Sequence, residues 1–450
     1  MAANDFGRGP MWRRILAQAV PLTVAQLVQL LYNVVDRVYI GHMDDSMALT
    51  GVGLAFPVVT LILAFTALFG AGGVPLFSMA RGAGEPERAE RILGNSCALL
   101  LGSALVLTAA GYLFCRPILF AFGASPDSYG YAREYLNIYL AGTVFSMLST
   151  GLNGYINAQG FPKIGMCSIV IGAVTNIALD PVFIFGFEMG VAGAALATVL
   201  SQAVSALWVL RFLLRGKIPV PLKFRSIRAD WQTTAQILRL GTANFIMQGT
   251  NCLVQVACNT TLQTFGGDLY VGIMTVTNSV REIFMLPVSG IVGGAQPVIS
   301  YNYGAGKLAR VKEAFYCQFG ICVGYATVFW LVMMLFPNLF AGMFTNNTEL
   351  VDYVAWAIRI YMACGFSIGF QRSCQQAFVA LGQAKISLVM ALLRKVILLI
   401  PLIFILPHFF ADKAFAVFLA EPVADIAAAA VTTFMFFRFF IKMLKGAEKE

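Results

Sequence analysis

The sequence predicts an all-α integral membrane protein with twelve transmembrane helices in two pseudo-symmetric six-helix bundles. Hydrophobic residues make up 59% of the 450 positions and charged residues only 12%, whereas about 25% of the residues of an ordinary soluble domain are charged. Most of the apolar residues fall into twelve runs, and about 20 helical residues are enough to cross a bilayer. Motifs of the first half recur in the second half, which predicts that a repeat relates the two bundles.

Each predicted helix corresponds to one apolar run, and short charged or Gly/Pro-rich segments separate the runs. The runs cover approximately residues 15–40, 49–79, 93–114, 133–156, 164–186, 190–213, 236–262, 271–300, 315–337, 354–380, 386–407 and 414–440. A transmembrane β-barrel would instead show segments of about ten residues with alternating polarity, and the sequence lacks this pattern. The first run is too long for the core of a signal peptide, so we expect no cleavable signal peptide.

Most of the basic residues between the runs lie in every second segment. They cluster near both ends of the chain, after the second and eighth runs, and in the mid-chain segment 214–232. Because cytoplasmic loops of membrane proteins are enriched in Lys and Arg, we expect both termini in the cytoplasm and an even number of helices. The net charge of +9 is then explained by the basic residues of the cytoplasmic segments and not by binding to nucleic acid. We expect the protein to lie in the inner membrane of a prokaryotic cell, with membrane lipids as partners.

One gapless shift in residue number, the repeat offset, relates the two halves of the chain. It carries Gly82 onto Gly304, which occupy the same place in two Gly-Ala-Gly motifs. The sequence therefore divides into an N-lobe (1–213, helices 1–6), a cytoplasmic linker (214–232) and a C-lobe (233–450, helices 7–12). Transporters commonly pair two such repeats around a substrate path and rock one against the other. Because one chain contains both lobes, we expect a functional monomer.

Ionisable groups inside transmembrane helices are costly and are functional candidates by default. In the first half they are Asp36, late in the first run, and Asp180, in the fifth run. Asn176 lies one helical turn before Asp180 on the same face, and Thr198 of the sixth run adds a hydroxyl. Carboxylate, amide and hydroxyl oxygens suit a small cation or a shuttled proton. The alternative is that both carboxylates lie near the extracellular surface and simply contact water.

The repeat supports the interpretation of these four residues as a cation site. At the repeat offset they correspond to Cys258, Leu398, Leu402 and Ala420, which are not charged. A requirement of the architecture would appear in both halves of the chain. A cluster in one half only is typical of a site.

The second half carries its own charged and polar residues within the predicted helices. They indicate either salt bridges between helices or the lining of a cavity that receives substrate, and the sequence leaves both readings open. The residues predicted to line such a cavity are Gln248, Gln255, Asn259, Arg281, Glu282, Gln371, Arg372 and Arg394. Three further charged residues with an open role are Lys395, Glu421 and Asp425.

No catalytic constellation is evident, and we expect no enzymatic activity. The two histidines, His42 and His408, lie near the ends of runs, and the sequence contains no Walker-type loop that would bind a nucleotide. The nine cysteines are scattered without a Cys-x-x-Cys pair, so neither a disulfide framework nor a metal centre is indicated. We expect no cofactor, and no metal beyond Na⁺ at the candidate cation site.

Several motifs resemble the multidrug and toxic compound extrusion (MATE) family of the MOP flippase superfamily. They are the segments 33–41, 180–186, 190–195 and 296–304, and the resemblance covers essentially the whole chain. It implies the MATE fold and an exporter of organic, often cationic compounds that is driven by inward flow of Na⁺ or H⁺.

Within this family the chain resembles the DinF-like branch. Members of that branch carry a cation site in the N-lobe, and its residues match Asp36, Asn176, Asp180 and Thr198 of this chain. The resemblance also implies that the first helix bends at Pro21 when the site changes state. The cluster found from the residues and the site implied by the resemblance therefore coincide.

The chain departs from the family pattern in two places. Another branch uses acidic residues in helices seven and ten, where this sequence has Gln248 and Gln371, so we do not expect that second cation site. The pair Arg281 and Glu282 is not a general family pattern, and it argues against a simple transfer of the preference for cationic drugs.

These observations predict a Na⁺- or H⁺-coupled antiporter that exports organic, cationic or amphipathic small molecules by alternating access. The sequence does not decide between the two ions. A flippase for a lipid-linked saccharide or cell-wall precursor is the alternative, because such proteins resemble this family in fold and the basic residues of the C-lobe would suit them. A sensor or scaffold would need an added soluble domain, and no segment is long enough for one.

Overall fold

The computed structural model describes residues 5–41, 46–122, 124–216, 218–343 and 348–447, and these residues form helices and short connections without any β-strand. His42, which the sequence analysis places near the end of a run, lies outside the described residues. The bounds of the helices follow in chain order for the two halves.

In the first half, the starts of several helices follow from the sequence. The helices are α1 (Met11–Gly41), α2 (Ser46–Thr66), α3 (Gly72–Gly82), α4 (Pro86–Leu113), α5 (Cys115–Ala121), α6 (Pro126–Ala141), α7 (Thr143–Ala158), α8 (Pro162–Pro181) and α9 (Gly190–Leu213). Proline begins α4, α6 and α8, where its missing N–H needs no partner. A π-helical turn at Ala67–Ala71 joins α2 to α3, and another at Val182–Gly186 follows α8.

The second half begins with a long helical stretch that a glycine interrupts. The helices are α10 (Trp231–Gly304), α11 (Leu308–Leu335), α12 (Pro337–Ala341), α13 (Thr348–Tyr361), α14 (Ser367–Ala380), α15 (Ala384–Leu392), α16 (Ile400–Ile405) and α17 (Lys413–Ala447). Gly267 has a non-helical backbone conformation (φ 68°, ψ −165°) and therefore divides α10 into two helices. Residues with side chains rarely adopt this conformation, which explains why a glycine occupies the position. A π-helical segment at Leu393–Leu399 joins α15 to α16.

Nine helical stretches of the described chain are long and apolar enough by themselves to cross a membrane. The other three predicted runs are helical but interrupted or polar. Run 133–156 is divided between α6 and α7 at Gly142, and run 354–380 is divided between α13 and α14. Run 236–262, in the first part of α10, contains many Gln, Asn and Thr residues, which lower its hydropathy. Polar membrane helices of this kind typically face the protein interior or a water-filled cavity.

The structure confirms the internal repeat helix by helix. The helices α4 and α11 begin and end at positions that the repeat offset relates, and so do the starts of α8 and α15. The turns before these helices also match: Gly84 (φ 75°) and Gly306 (φ 69°) precede α4 and α11, and Gly160 (φ 90°) and Gly382 (φ 74°) precede α8 and α15. Only glycine adopts a positive φ readily, so the same residue type recurs where the same backbone geometry requires it.

The chain forms two compact units. The first comprises Met1–Arg8 and Val20–Phe245, and the second comprises Gly9–Ala19 and Ile246–Glu450. The helices α1 and α10 therefore each contribute residues to both units. Each unit has its own apolar core.

The linker 214–232 is held on the first unit by polar contacts. Lys223 Nζ donates a hydrogen bond to Glu90 Oε2 (2.6 Å). Asp230 caps the start of α10, where its carboxylate accepts hydrogen bonds from the backbone N–H and the hydroxyl of Thr233 (3.0 and 2.7 Å). These hydrogen bonds lower the pKa of Asp230 below its ordinary value, so the capping carboxylate is ionised at neutral pH.

Candidate ion-coupling and substrate sites

The candidate cation site lies in the first unit, where α1, α8 and α9 carry its residues. Asp36 is on α1, Asn176 and Asp180 lie one turn apart on α8, and Thr198 is on α9. Asn176 and Asp180 are fully buried, and Asn176 Nδ2 donates a hydrogen bond to Asp180 Oδ1 (3.2 Å). The burial of Asp180 speaks against the alternative in which this carboxylate simply contacts water.

Two buried oxygen atoms of this site have no hydrogen-bond donor within the described chain. They are Asn176 Oδ1 and Asp180 Oδ2. Leaving a buried polar atom without a partner costs about 1–3 kcal/mol, and more when it is charged, so the site favours an added proton or a small cation. Thr198 is 8% exposed, and its hydroxyl donates to Ala194 O (3.0 Å), which leaves the oxygen lone pairs for a ligand.

Asp36 is half-buried and interacts electrostatically with Asp180. Two neighbouring carboxylates repel when both are ionised, and a bound proton or cation relieves this repulsion. The hydroxyls of Tyr32 and Tyr135 also interact with both carboxylates. The sequence analysis missed these tyrosines, although Tyr32 precedes Asp36 by one helical turn and therefore shares its face.

Two prolines interrupt the backbone hydrogen bonds of the helices that carry the carboxylates. Pro181 directly follows Asp180, and the chain then continues as the π-helical turn Val182–Gly186, a feature that is frequent at functional sites. Pro21 lies inside α1, which stays helical on both sides of it. Because proline has no N–H, each of these positions lacks one i→i−4 hydrogen bond.

A second polar site lies in the second unit as a cavity of about 340 Å³. Residues of α10, α13, α14, α17 and the π-helical segment Leu393–Leu399 line this cavity. Its polar lining residues are Asn251, Gln255, Asn278, Arg281, Glu282, Ser289, Tyr361, Gln371, Arg372, Arg394, Lys395 and Glu421. Six of the eight residues that the sequence analysis assigns to a substrate cavity are among them.

The other two assigned residues, Gln248 and Asn259, do not line this cavity. In the part of α10 before Gly267, the wall begins at Asn251 and ends two helical turns later on the same face, at Cys258. Asn259 lies one residue after Cys258, which turns it about 100° around the helix, and Gln248 lies almost one turn before the wall begins. Polarity alone does not fix which positions of a helix line a cavity, so the assignment of these two residues to the substrate site stays a prediction that this cavity does not include.

Four charged side chains around this cavity form a closed set of ion pairs. Glu421 and Asp425, one turn apart on α17, both pair with Arg281 and with Arg394. Arg394 Nη2 lies 2.7 Å from Glu421 Oε1, and Arg394 Nε lies 2.6 Å from Asp425 Oδ1. All four side chains are mostly buried, so two positive and two negative charges compensate each other away from water. Salt bridges and cavity lining, which the sequence presents as alternatives, occur together here.

Arg372 and Lys395 add two positive charges that form no ion pair with an acidic residue of the described chain. No carboxylate of the described residues lies within 4.0 Å of the side-chain nitrogen atoms of either residue. Lys395 Nζ donates instead to Met247 O (3.2 Å) and to Asn251 Oδ1. Lys395 is only 8% exposed, so its charge is held away from bulk water.

The family model for MatE matches residues 21–182 and 245–405 of the chain. The chain belongs to the MatE family. The resemblance that the sequence motifs indicate is therefore confirmed, and the protein is a multi-pass membrane transporter.

Relatives and solved structures of this family match the present chain over nearly its whole length. The multidrug export protein MepA of Staphylococcus aureus (strain N315) is 23% identical over 427 residues, which are 94% of each chain. A MATE transporter crystallised in complex with MaD3S is similar with a TM-score of 0.93, at 23% identity over 100% of both chains. A MOP superfamily transporter from Pyrococcus furiosus, described by the reverse polarity of its binding pocket, is similar with a TM-score of 0.91, at 23% identity over 98% of both chains.

The likeness to these structures confirms the predicted fold, with twelve transmembrane helices in two bundles. At this level of identity the likeness concerns the fold alone. The roles of individual residues in this MatE transporter therefore depend on the geometry described above.

Proposed function

We propose that this MatE transporter exports organic small molecules across the cell membrane by antiport, driven by Na⁺ or H⁺ that binds at Asp36 and Asp180. The observation that carries the proposal is a pair of buried oxygens, Asn176 Oδ1 and Asp180 Oδ2, which have no donor among the described residues and lie beside a second carboxylate. Such oxygens suit a hard cation or a proton. The corresponding positions in the second half of the repeat carry no charge.

The coupling ion acts in this proposal as a switch between two states of the transporter. Closing a dry site around two ionised carboxylates is costly, whereas a bound Na⁺ or H⁺ compensates part of the charge. Ion binding from outside therefore favours closure towards the outside, after which substrate binds from the cytoplasm and leaves when the transporter reopens. Coupling requires that ion and substrate each have different affinities for the two states. The interrupted backbone at Pro21 is where α1 can bend.

Export of organic compounds is supported by the relatives, since MepA is named as a multidrug export protein. The proposal includes an N-lobe (1–213) and a C-lobe (233–450) that work in one monomer, with both termini in the cytoplasm. The flippase alternative is not favoured, because the curated relatives that match over 94% of the chain are multidrug export proteins.

Efflux of fluorescent dyes from proteoliposomes tests the proposal. Na⁺ and pH gradients are imposed separately on vesicles that contain the wild-type protein or Asp36→Asn, with cationic and anionic dyes loaded in parallel. We expect one of the two gradients to stimulate efflux. Asp36→Asn keeps the size of the side chain but removes its charge, and we expect it to reduce the stimulated rate at least about tenfold, the effect of roughly 1.4 kcal/mol of lost ion binding.

Asp352→Asn provides a matched control, because Asp352 is an exposed carboxylate on α13, and this variant is expected to transport at the wild-type rate. A folded protein whose efflux neither gradient stimulates, with any of the dyes, would contradict ion-coupled export. Wild-type coupling in Asp36→Asn would remove this residue from the ion site.

A further inference from the structure

The cavity of the second unit carries a surplus of positive charge. Arg281 and Arg394 are compensated by the two acidic residues of α17. Arg372 and Lys395 also line the cavity, and no carboxylate of the described chain lies within 4.0 Å of them. Glu282 is a further lining residue, but its side chain is exposed, so solvent screens its charge.

This set of charges is present in the second half of the chain only. Five of these charged residues, on α14, the π-helical segment and α17, have uncharged counterparts in the first half at the repeat offset. Arg372, Arg394, Lys395, Glu421 and Asp425 correspond to Thr150, Gly172, Ala173, Val199 and Ala203, respectively. Because the helices of both halves follow the same repeat, the fold itself does not require a charge at these positions. The charges are therefore specific to the second half of the chain.

The backbone explains how two adjacent charged residues both come to lie inside. Arg394 and Lys395 belong to the π-helical segment Leu393–Leu399, and each is 8% exposed. In a regular α-helix, adjacent residues lie about 100° apart, whereas a π-helical segment has a wider turn and is frequent at functional sites. Pro401, just after this segment, has no N–H to complete the regular hydrogen-bond ladder.

An unpaired cation inside a membrane protein is unfavourable unless a partner compensates its charge. Lys395 has two neutral acceptors, Met247 O and Asn251 Oδ1, and Arg372 has no hydrogen bond to any residue that the structure describes. An anionic group in the cavity would supply the missing negative charge to both. The planar donors of a guanidinium match two oxygens of a carboxylate or a phosphate.

We propose that this cavity binds the carboxylate or phosphate group of an amphipathic organic anion, with Arg372 and Lys395 as its charge partners. A volume of about 340 Å³ falls within the range of small-molecule sites. The two buried acids, Glu421 and Asp425, are already paired with arginines, so among the described lining residues a cationic compound is left with the exposed carboxylate of Glu282. The apolar part of the ligand contacts Val254, Met285, Ile368 and Leu399. The inference rests on the proposed function, since it names the class of compound that the exporter carries.

Two dyes with the same xanthene ring system and opposite charge test this proposal. They are fluorescein, which is anionic, and tetramethylrhodamine methyl ester, which is cationic. Binding to the purified protein in uncharged detergent micelles is followed by fluorescence anisotropy. We expect fluorescein to bind more tightly, and we expect Lys395→Gln and Arg372→Gln each to weaken its binding about tenfold, the effect of losing one charge-assisted hydrogen bond. Lys385→Gln, which removes an exposed lysine of α15, is the matched control with unchanged affinity.

The proposal is overturned if the cationic dye binds more tightly, or if neither substitution changes the affinity for fluorescein. Thermal unfolding in the same micelles verifies that each variant is folded. Lys395→Arg keeps the positive charge and is expected to retain most of the affinity. A loss in Lys395→Arg as large as in Lys395→Gln would assign the effect to packing and also overturn the proposal.

An anionic lipid could supply the same chemistry, so the measurement is repeated with phosphatidylglycerol or phosphatidylcholine in the micelles. Competition by phosphatidylglycerol alone would support the anion site but assign it to a lipid headgroup, which overturns the assignment to exported cargo. The proposed function fails in a different way. If fluorescein binds and Lys395→Gln weakens it while neither gradient drives efflux, the anion site stands without antiport. Gradient-driven efflux of the cationic dye alone, unchanged in Lys395→Gln, supports antiport and overturns the anion site.

Discussion

At the residue scale, Arg394 has a double role in the second unit. It lines the cavity and holds two buried carboxylates, those of Glu421 and Asp425, at 2.7 and 2.6 Å. Removing one partner of a buried ion pair leaves an uncompensated charge, which typically costs about 3–5 kcal/mol. Since Arg281 stays in contact with both acids, we expect Arg394→Gln to lower the free energy of unfolding by about 3 kcal/mol, measured by thermal unfolding in detergent.

The control for this prediction is Arg359→Gln, at an exposed arginine of α13, which is expected to unfold like the wild type. A double variant, Arg394→Leu with Asp425→Leu, removes one charge of each sign, and we expect it to recover part of the lost stability. Unfolding of Arg394→Gln at the wild-type temperature would mean that these ion pairs contribute little to the fold.

The residue types of both sites could be predicted from the sequence, but their contacts could not. Charged residues inside apolar runs are recognisable because each is costly in a membrane. The pairing of Arg281 with Glu421 joins positions that are far apart in the chain, and nothing local in the sequence specifies it. Tyr135 was missed for a similar reason, since only the packing of the helices brings its hydroxyl near the carboxylates of the first unit.

At the element scale, the π-helical turn Val182–Gly186 depends on a close approach of α9. A Cβ atom added at Gly193 would lie 2.8 Å from the backbone C and O of Phe183 in this turn. Backbone atoms cannot yield as a flexible side chain does, so we expect Gly193→Ala to destabilise the protein by about 1–3 kcal/mol. Because the turn directly follows Asp180 and Pro181, the same variant should also impair ion-stimulated efflux. Thermal unfolding and the dye-efflux assay measure the two effects.

Gly102→Ala is the matched control for this substitution. An added Cβ at Gly102, within α4, meets no atom within 4 Å, and alanine is favoured over glycine inside a helix by about 0.5–1 kcal/mol. We therefore expect equal or slightly higher stability in this variant, with normal efflux. If Gly193→Ala proves as stable as Gly102→Ala, the close approach of α9 does not constrain the turn.

The helices themselves were predictable where hydropathy alone decides the outcome. Runs such as 93–114 and 190–213 became continuous helices, α4 and α9. The break of run 133–156 at Gly142 and the π-helical segment Leu393–Leu399 were not predicted. An apolar run indicates that a segment crosses the bilayer, but interruptions depend on contacts with neighbouring helices, which the run does not encode.

At the scale of the whole molecule, the two charge clusters lie in opposite halves of a repeat whose helices correspond in position. The first unit carries the carboxylates Asp36 and Asp180 where the second has uncharged residues, and the second carries charged residues such as Arg372 and Lys395 where the first is uncharged. The proposed antiport would use the site of the first unit for the driving ion and the cavity of the second unit for cargo. Divergence of two equivalent halves, one towards each task, would provide both sites within a single chain. The proposed ion site and the proposed anion site would then each belong to one half of the chain.

The expected orientation of the molecule in the membrane can be tested at the linker 214–232. Lys223, Arg225 and Arg228 are exposed there, and the distribution of basic residues predicts that the linker faces the cytoplasm. Trypsin added to inside-out vesicles should therefore cut the chain into two fragments of about equal size, whereas right-side-out vesicles should protect this segment. A variant with all five basic residues of the linker changed to glutamine (Arg215, Lys217, Lys223, Arg225 and Arg228) is the control, since cleavage at this place should disappear while cleavage elsewhere continues. Cleavage of the linker in right-side-out vesicles alone would reverse the orientation, and with it the direction in which the proposed ion gradient drives export.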